Sequence, residues 1–205
     1  MTRRFLLGIL AVLPLAAADG GAMSSEERSY LLDQLEQSKK AFLTSIEGVS
    51  QAQWAYKPAP TVWSVKECAE HIILAEDFLM SNIQNILKTP VVERPANSNA
   101  QVDRKLVEGI QDRSHKFTAP EPIVPSGKFA TPADAAKEFT ARRDKTIAYV
   151  KGTNDDLRVH VAPGPAGPMD AYQFLLLLSS HTLRHTAQIH EVQANADYPK
   201  ATAAR

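Results

Sequence analysis

Apolar residues recur at helical spacing in four separate stretches of the chain, and each stretch has start and stop signals. The first begins at a Ser-x-x-Glu capping box at Ser24 and ends at about Gly48. The second begins at the same motif at Ser64 and runs to about Lys88, shortly before Pro90. Both patterns predict amphipathic helices that bury one face in a core.

The second half of the chain contains two further helical patterns. One begins where Thr131 precedes Pro132, the preferred order of N-cap and first helical residue, and it ends at Gly152. The other begins near Asp170 and continues to about Asn195. Four such helices, with no strand-like alternation of any length, predict an all-α fold and a four-helix bundle.

The connections between these helices are rich in proline. Pro58 and Pro60 exclude helix from the connection after the first helix. About forty residues separate the second helix from the third, and the one regular element expected there is a short helix from about Val102 to Ile110. A connection of this length is unusual in a compact domain unless it crosses the bundle or covers a site.

Residues 1–18 have the pattern of an export signal, in which Arg3 and Arg4 precede an apolar run that ends in three alanines. The run is about eleven residues long, shorter than the roughly 20 that span a membrane. We therefore expect cleavage after Ala18, a mature domain of residues 19–205 without a stable membrane span, and a periplasmic or extracellular location. A retained N-terminal anchor is the alternative to cleavage. The arginine pair fits ordinary n-region charge better than a twin-arginine signal.

Composition narrows the classes of function. Lys plus Arg and Asp plus Glu number 23 each, so the formal charge is zero and neither nucleic acid nor anionic lipid is an expected partner. Apolar residues make up 44%, which is enough for a packed core. Cys68 is the single cysteine, which excludes an intrachain disulfide and a c-type haem attachment.

Three of the six histidines lie at special positions. His181 and His185 are four residues apart, so they project from one face of the last helix on successive turns. Two imidazoles placed in this way can bind one ion at about 2.0–2.1 Å. His71 lies on the core-facing side of the second helix and could stand opposite the pair. The alternative is that all three are core histidines with satisfied polar atoms, and spacing alone supports both interpretations equally.

Neighbouring residues exclude more specific metal sites. The segment from His181 to His185 lacks the glutamate that zincins use as a general base, and the paired Glu-x-x-His motifs of di-iron bundles are missing. Cys68, one turn before His71, is a candidate fourth ligand, although a small buried hydrophobic residue is the better interpretation. The remaining three histidines are interpreted as surface residues: His115, His160 and His190.

Two segments resemble the DinB-like, or damage-inducible, superfamily: Trp63–Ile72, with Trp-Ser-Val-Lys-Glu and His-Ile, and His181–Gln188, with His-Thr-Leu-Arg-His-Thr-Ala-Gln. The resemblance covers the whole mature chain and implies a four-helix bundle with a long crossover between the second and third helices. It also implies one divalent ion bound by His71, His181 and His185. Zinc or nickel is the first choice, with manganese or iron as alternatives.

The resemblance is less definite about activity. The better-characterised relatives are bacillithiol transferases and mycothiol-dependent isomerases, dimers are common among them, and many members have no assigned activity. Because low-molecular-weight thiols are chiefly cytoplasmic, an export signal sets this chain apart. We expect an exported, metal-dependent transferase or hydrolase that uses a metal-activated thiol or water on an unidentified small molecule. The alternative is a non-catalytic metal-binding or stress-related protein. The resemblance leaves a homodimer open as the assembly, and the sequence does not determine the oligomeric state.

Two polar residues of the last helix are weak candidates for catalytic roles. Arg184 could hold an anionic group of the substrate, although a surface or inter-helix salt bridge is the better interpretation. Gln188, one turn beyond His185, could orient that ligand or a bound water.

Overall fold

The structure is a computed structural model that describes residues 22–200. Within this range the elements, in chain order, are α1 (Ser25–Ile46), α2 (Gln51–Ala55), α3 (Val65–Ile86), α4 (Ala100–Gln111), a 3-10 turn (Glu121–Ile123), α5 (Pro132–Gly152), β1 (Val161–Gly164), β2 (Gly167–Asp170) and α6 (Ala171–Gln193). The expected signal of residues 1–18 and its cleavage site lie outside the described residues. None of the helices between residues 22 and 200 is both long and apolar enough to cross a membrane.

The four predicted starts of long helices are confirmed. Each of these helices follows a side chain that accepts a hydrogen bond from an amide of the first turn, and the four caps are Ser24, Ser64, Thr131 and Asp170. Three of the caps are reciprocal capping boxes, whereas α5 has Pro132 at its first position. A cap of this kind stabilises its helix by about 1 kcal/mol. The helices end within about two residues of the predicted positions.

The four long helices pack against one another. α6 contacts α1 and α3, and α5 contacts the same two helices. Their apolar faces form two buried clusters, one that includes Leu35 and Leu175 and another that includes Phe42 and Phe139. α4 is the short helix predicted in the long connection, and it packs on α6. The protein is therefore mostly helical, as predicted, and the chain after α3 passes along α6 before it reaches α5.

A short β-hairpin, β1–β2, precedes α6, in a segment where the sequence shows no strand-like alternation. Val161 pairs with Asp170 in an antiparallel register, and Gly167 adopts a positive φ of 93° at the turn. Pro163 and Pro168 are paired partners in this ladder. A two-stranded hairpin has an open edge on each side, so it tolerates prolines that lack an amide hydrogen. Strands of four residues that contain proline and glycine have no readable alternation of apolar and polar positions, so the sequence gives no signal for them.

The connection after α1 also contains a short helix that was not predicted. α2 begins after Ser50, which forms a capping box with Gln53, and it ends before Pro58. The prolines therefore exclude helix only beyond Ala55. A Ser-x-x-Gln motif was the sequence signal for this turn.

A buried ion pair connects the four long helices. Arg143 of α5 and Glu76 of α3 are 0% and 2% exposed, and their side chains are paired directly. Arg143 also donates to the carbonyl oxygen of Leu35 at 2.9 Å and to the hydroxyls of Ser38 and Thr182 at 2.5 and 2.8 Å. One guanidinium thus contacts α1, α3 and α6 from its place on α5.

A second buried arginine joins the starts of three helices. Arg158 donates to Glu27 at 2.7 Å, to Asp103 at 2.6 Å and to Asp170 at 3.1 Å. These carboxylates belong to the first turns of α1 and α4 and to the N-cap of α6. The guanidinium also lies 3.7 Å from the centre of the Tyr172 ring. The network holds together segments that are far apart in the sequence.

Candidate metal centre

Three histidines meet between α3 and α6. His71 comes from α3, and His181 and His185 come from successive turns of α6. Each offers one ring nitrogen, and the three nitrogens all lie within 4.8 Å of one another. Ring centres are separated by 4.3 to 4.8 Å. No other group of three or more His, Cys, Asp or Glu side chains within residues 22–200 is placed to hold a metal ion.

A backbone carbonyl of the long connection orients His71. The Nδ1 atom of His71 lies 2.7 Å from the carbonyl oxygen of Ile123, in the 3-10 turn. A carbonyl oxygen only accepts hydrogen bonds, so Nδ1 donates its proton and Nε2 keeps its lone pair. That Nε2 atom lies 3.1 Å from Nε2 of His181, inside the triad.

Gln188 orients His185 in the same way. The Nδ1 atom of His185 donates to Oε1 of Gln188 at 2.8 Å, which leaves its Nε2 unprotonated. Arg113 donates to the same oxygen at 3.4 Å, which agrees with the assignment of Oε1 to this position. The Nδ1 atom of His181 is buried and has no hydrogen-bond partner among residues 22–200. Two histidines of the triad thus have a hydrogen-bonded outer nitrogen, the Nδ1 atom that faces away from the other two rings, and in His181 this nitrogen is unsatisfied within the described residues.

The distances and charges of the triad fit a divalent ion. Two nitrogens bound at about 2.0–2.1 Å to one tetrahedral zinc lie roughly 3.3 Å apart, close to the 3.1 Å between Nε2 of His71 and Nε2 of His181. Burial lowers the pKa of His71, and burial with the neighbouring rings lowers the pKa of His181 well below its usual value and that of His185 to about 3. Neutral imidazole is the form that binds metals. The three histidines could therefore hold one metal ion.

Comparisons with known proteins agree with this geometry. The family model of the DinB superfamily matches residues 34–189, a range that includes all three histidines. This chain belongs to the DinB superfamily. A similar protein from Bacillus subtilis (strain 168), described as uncharacterized protein YuaE, is 24% identical over 149 residues. The match covers 72% of this chain and 88% of that protein. No solved structure matches this chain.

Trp63 covers one side of the triad in this DinB protein. The centre of its ring lies 4.8 Å from that of His71 and 6.0 Å from that of His185. Trp63 is half-buried and directly precedes the Ser64 cap of α3. The cap that starts α3 therefore also places an indole against two of the candidate ligands.

Arg184 contacts the long connection. Its guanidinium donates to the carbonyl oxygens of Ile110, Asp112 and His115 and lies 5.1 Å from the centre of the Phe117 ring. The side chain thus binds the end of α4 and the loop that follows it. These three acceptors are backbone carbonyls, and Arg184 forms no salt bridge within residues 22–200, so the salt bridge suggested by the sequence is not found there.

Cys68 and the other histidines lie apart from the candidate ligands. Cys68 is fully buried in an apolar cluster, and burial raises the pKa of its thiol. His115 and His190 are exposed, as expected. His160 was interpreted as a surface residue, but it is half-buried, and its Nδ1 donates to the carbonyl oxygen of Thr89 at 2.8 Å.

Two charged residues beside the triad were missed from the sequence. Glu70 directly precedes His71 and is buried. A carboxylate on the core-facing side of a helix is unusual, and this was the sequence signal that could have identified it. Arg113 forms two bonds of 2.6 and 2.7 Å with Glu191 and also donates to Gln188. Arg113 lies in an irregular segment 78 residues from Glu191, so no local pattern could reveal their contact.

Proposed function

We propose that this DinB protein is an exported metalloprotein on a four-helix bundle with a long crossover between its second and third long helices. In this proposal His71, His181 and His185 bind one divalent ion, zinc or nickel in the first place and manganese or iron as alternatives. The observation that supports it most is the convergence of three neutral imidazoles, two of which have their outer nitrogens bonded to fixed acceptors. Outer contacts of this kind are typical of histidines that bind metals.

We further propose that the centre supports a transferase or hydrolase reaction on a small molecule. A divalent ion held by neutral ligands acts as a Lewis acid and lowers the pKa of a coordinated water or thiol, toward about 7 for water on zinc. The chain contributes three ligands, which leaves open positions, as in catalytic zinc sites. Ile123 and Gln188 keep the lone pairs of His71 and His185 directed at the centre. Trp63 provides an apolar wall on one side.

One observation favours a non-catalytic metal-binding or stress-related protein instead. Among residues 22–200, the hydrogen bonds of the triad's ring nitrogens go to one another, to Ile123 and to Gln188, and none goes to a carboxylate. The adjacent carboxylate of Glu70 is occupied by backbone amides. No carboxylate in the described range is therefore hydrogen-bonded to a candidate ligand, where it could act as a general acid or base.

Elemental analysis of the purified mature protein tests metal binding. We expect about one divalent ion per chain, and we expect His71→Ala, His181→Ala and His185→Ala each to abolish stoichiometric binding. His190→Ala is the matched control, because it removes an exposed histidine from the same helix as two of the ligands. Full occupancy in any of the three triad variants would refute the assigned ligand set.

Activity assays separate the enzyme from the binding protein. Metal-free and metal-reconstituted protein should be compared on thiol-transfer and hydrolytic substrates, with the triple alanine variant as background. Turnover that depends on both metal and histidines supports the enzyme. Tight metal binding without turnover across the substrate panel supports the alternative.

Export and assembly need separate measurements. If the protein is exported as proposed, mass spectrometry of the periplasmic or secreted form should find a chain that begins at Asp19. Full-length protein confined to the cytoplasm would contradict export. Sedimentation equilibrium tests the homodimer that the family resemblance leaves open.

A further inference from the structure

Glu70 is a fully buried carboxylate on α3, immediately before the candidate ligand His71, with 0% of its surface exposed. A buried charge needs a partner of opposite charge or several strong hydrogen bonds. Within the described part of the chain Glu70 forms no salt bridge. Its partners all belong to one short segment of the long connection, residues 126–128.

Four donors of this segment surround the two carboxylate oxygens. Oε1 accepts from the amide and the hydroxyl of Ser126 at 2.8 and 2.9 Å, and Oε2 accepts from the amides of Gly127 and Lys128 at 2.8 and 2.9 Å. Gly127 has a φ of 91°, a conformation that disfavours residues with a side chain. Burial opposes ionisation of Glu70, but the backbone hydrogen bonds outweigh it, and its pKa lies below the usual value. All four groups donate to the two oxygens, which is the arrangement that an ionised carboxylate accepts.

The same segment supplies the carbonyl that orients His71. Ile123 lies three residues before Ser126, its side chain is buried, and its oxygen is 2.7 Å from Nδ1 of His71. Two neighbouring residues of α3 thus bind the connection at two places, Glu70 at residues 126–128 and His71 at Ile123. If the first contact is lost, the loop loses one of its two hydrogen-bonded attachments to α3, and the position of the Ile123 carbonyl depends on the remaining packing of this turn.

We propose that Glu70 is a positioning residue for the metal centre. Its carboxylate clamps residues 126–128, so that the carbonyl of Ile123 holds His71 in the tautomer with a protonated Nδ1 and an unprotonated Nε2 inside the triad. The purpose of this clamp rests on the proposed metal binding, but the control of the His71 tautomer is a property of the chain itself. It can be measured without any metal.

The first readout is the tautomer of His71 in metal-free protein, observed by long-range ¹H–¹⁵N NMR with ¹⁵N-labelled histidine. We expect the native protein to show the Nδ1-protonated form, and Glu70→Gln to shift His71 toward the Nε2-protonated form. In Glu70→Gln an amide NH2 group replaces one of the two accepting oxygens. Ser126→Ala removes the hydroxyl and leaves three of the four bonds, so it should retain the native tautomer. Asp103→Asn is the matched control, because it alters a buried carboxylate of the Arg158 network instead.

The second readout is metal affinity, measured by competition with a chelator. We expect Glu70→Gln to weaken binding by about 10–100-fold, as is usual when an outer contact of a ligand is removed. Ser126→Ala and Asp103→Asn should have much smaller effects.

Two outcomes would contradict the proposal. An unchanged His71 tautomer in Glu70→Gln overturns it, and so does a loss of affinity no larger than that of Asp103→Asn. If Glu70→Gln does not fold, Glu70→Asp serves in its place, since it retracts the same charge by one methylene and should give an intermediate tautomer shift. If the native protein binds no metal, the proposed function fails, while the NMR comparison still decides whether Glu70 controls the tautomer.

Discussion

Replacement of Arg143 by methionine would remove the positive half of the ion pair between the long helices. Methionine is unbranched and fills a similar path, but it carries no charge and donates no hydrogen bond. The hydroxyls of Ser38 and Thr182 would keep their bonds to backbone carbonyls at 3.1 and 3.2 Å. Among the partners described for Glu76, which is 2% exposed, only the hydroxyl of Thr146 at 3.5 Å would remain. The substitution therefore leaves one nearly bare carboxylate in the core.

The expected loss of stability follows from that carboxylate. Removal of one partner from a buried ion pair lowers the free energy of unfolding by about 3–5 kcal/mol. In a domain of this size 1 kcal/mol corresponds to roughly 2–4 °C in Tm, so Tm should fall by roughly 6–20 °C. The double variant Arg143→Met, Glu76→Leu removes both charges and should recover most of the loss, because apolar replacements of buried pairs are often neutral or stabilising.

Arg142→Met is the matched control, one residue earlier on α5. Arg142 pairs with Asp77 and Glu138, whose side chains are 67% and 45% exposed. Arg142 itself is 16% exposed, but the two carboxylates would remain in contact with water after its removal, so no uncompensated charge is left in the core. Pairs of this kind contribute about 0–1 kcal/mol, and this variant should remain much closer to the native protein than Arg143→Met.

Urea and thermal unfolding followed by far-UV circular dichroism would compare the four proteins. Metal should be removed beforehand, because a ligand that binds only the folded state adds its own stabilisation. A loss under about 1 kcal/mol for Arg143→Met would refute the assignment of an uncompensated buried charge. A double variant no more stable than the single one would show that the lost hydrogen bonds, and not the charge of Glu76, determine the effect.

Three further predictions concern single side chains. Gln188→Ala should weaken metal binding by about 10–100-fold in a chelator competition, because His185 loses the acceptor of its Nδ1 proton; unchanged affinity would contradict that role. Burial opposes ionisation of Glu27, but the Ser24 amide and Arg158 outweigh it and lower its pKa from the ordinary 4.5. The stability that Glu27 adds is thus present above pH 4.5 and is lost as the pH falls through the lowered pKa of the folded state. The difference in unfolding free energy between the native protein and Glu27→Gln should therefore become smaller in acid. A difference that stays constant from neutral to acidic pH would contradict this. Cys68 should react with a thiol reagent only after unfolding, since it is fully buried and burial raises its pKa; rapid labelling of the folded protein would count against it.

Contacts within one helical turn could be predicted from the sequence because they depend on local periodicity and chemistry. The caps at Ser24, Ser64 and Asp170 each satisfy the amide three residues further on, so the motif and the contact are the same few residues. His181 and His185 share a face of α6 for the same reason. The proposed orientation of His185 by Gln188 was also within reach, since that acceptor lies three residues away.

The position of His71 relative to His181 and His185 is determined by the packing of α3 against α6. His71 lies on the core-facing side of α3, but its distance to His181 depends on how α3 and α6 cross, and no spacing within either helix determines that. The DinB resemblance supplied the pairing, and the structure places the two Nε2 atoms 3.1 Å apart.

The surroundings of the triad could be learned only from the tertiary structure. Ile123 and Glu70 act through contacts that span 52 and 56 residues. Arg184 binds carbonyls about 70 residues earlier in the chain. Irregular segments have no hydrophobic period, and the conformation of the long connection depends on where its backbone amides and carbonyls find partners. Several of those partners are side chains of α3 and α6, so the position of the connection depends on how these helices pack.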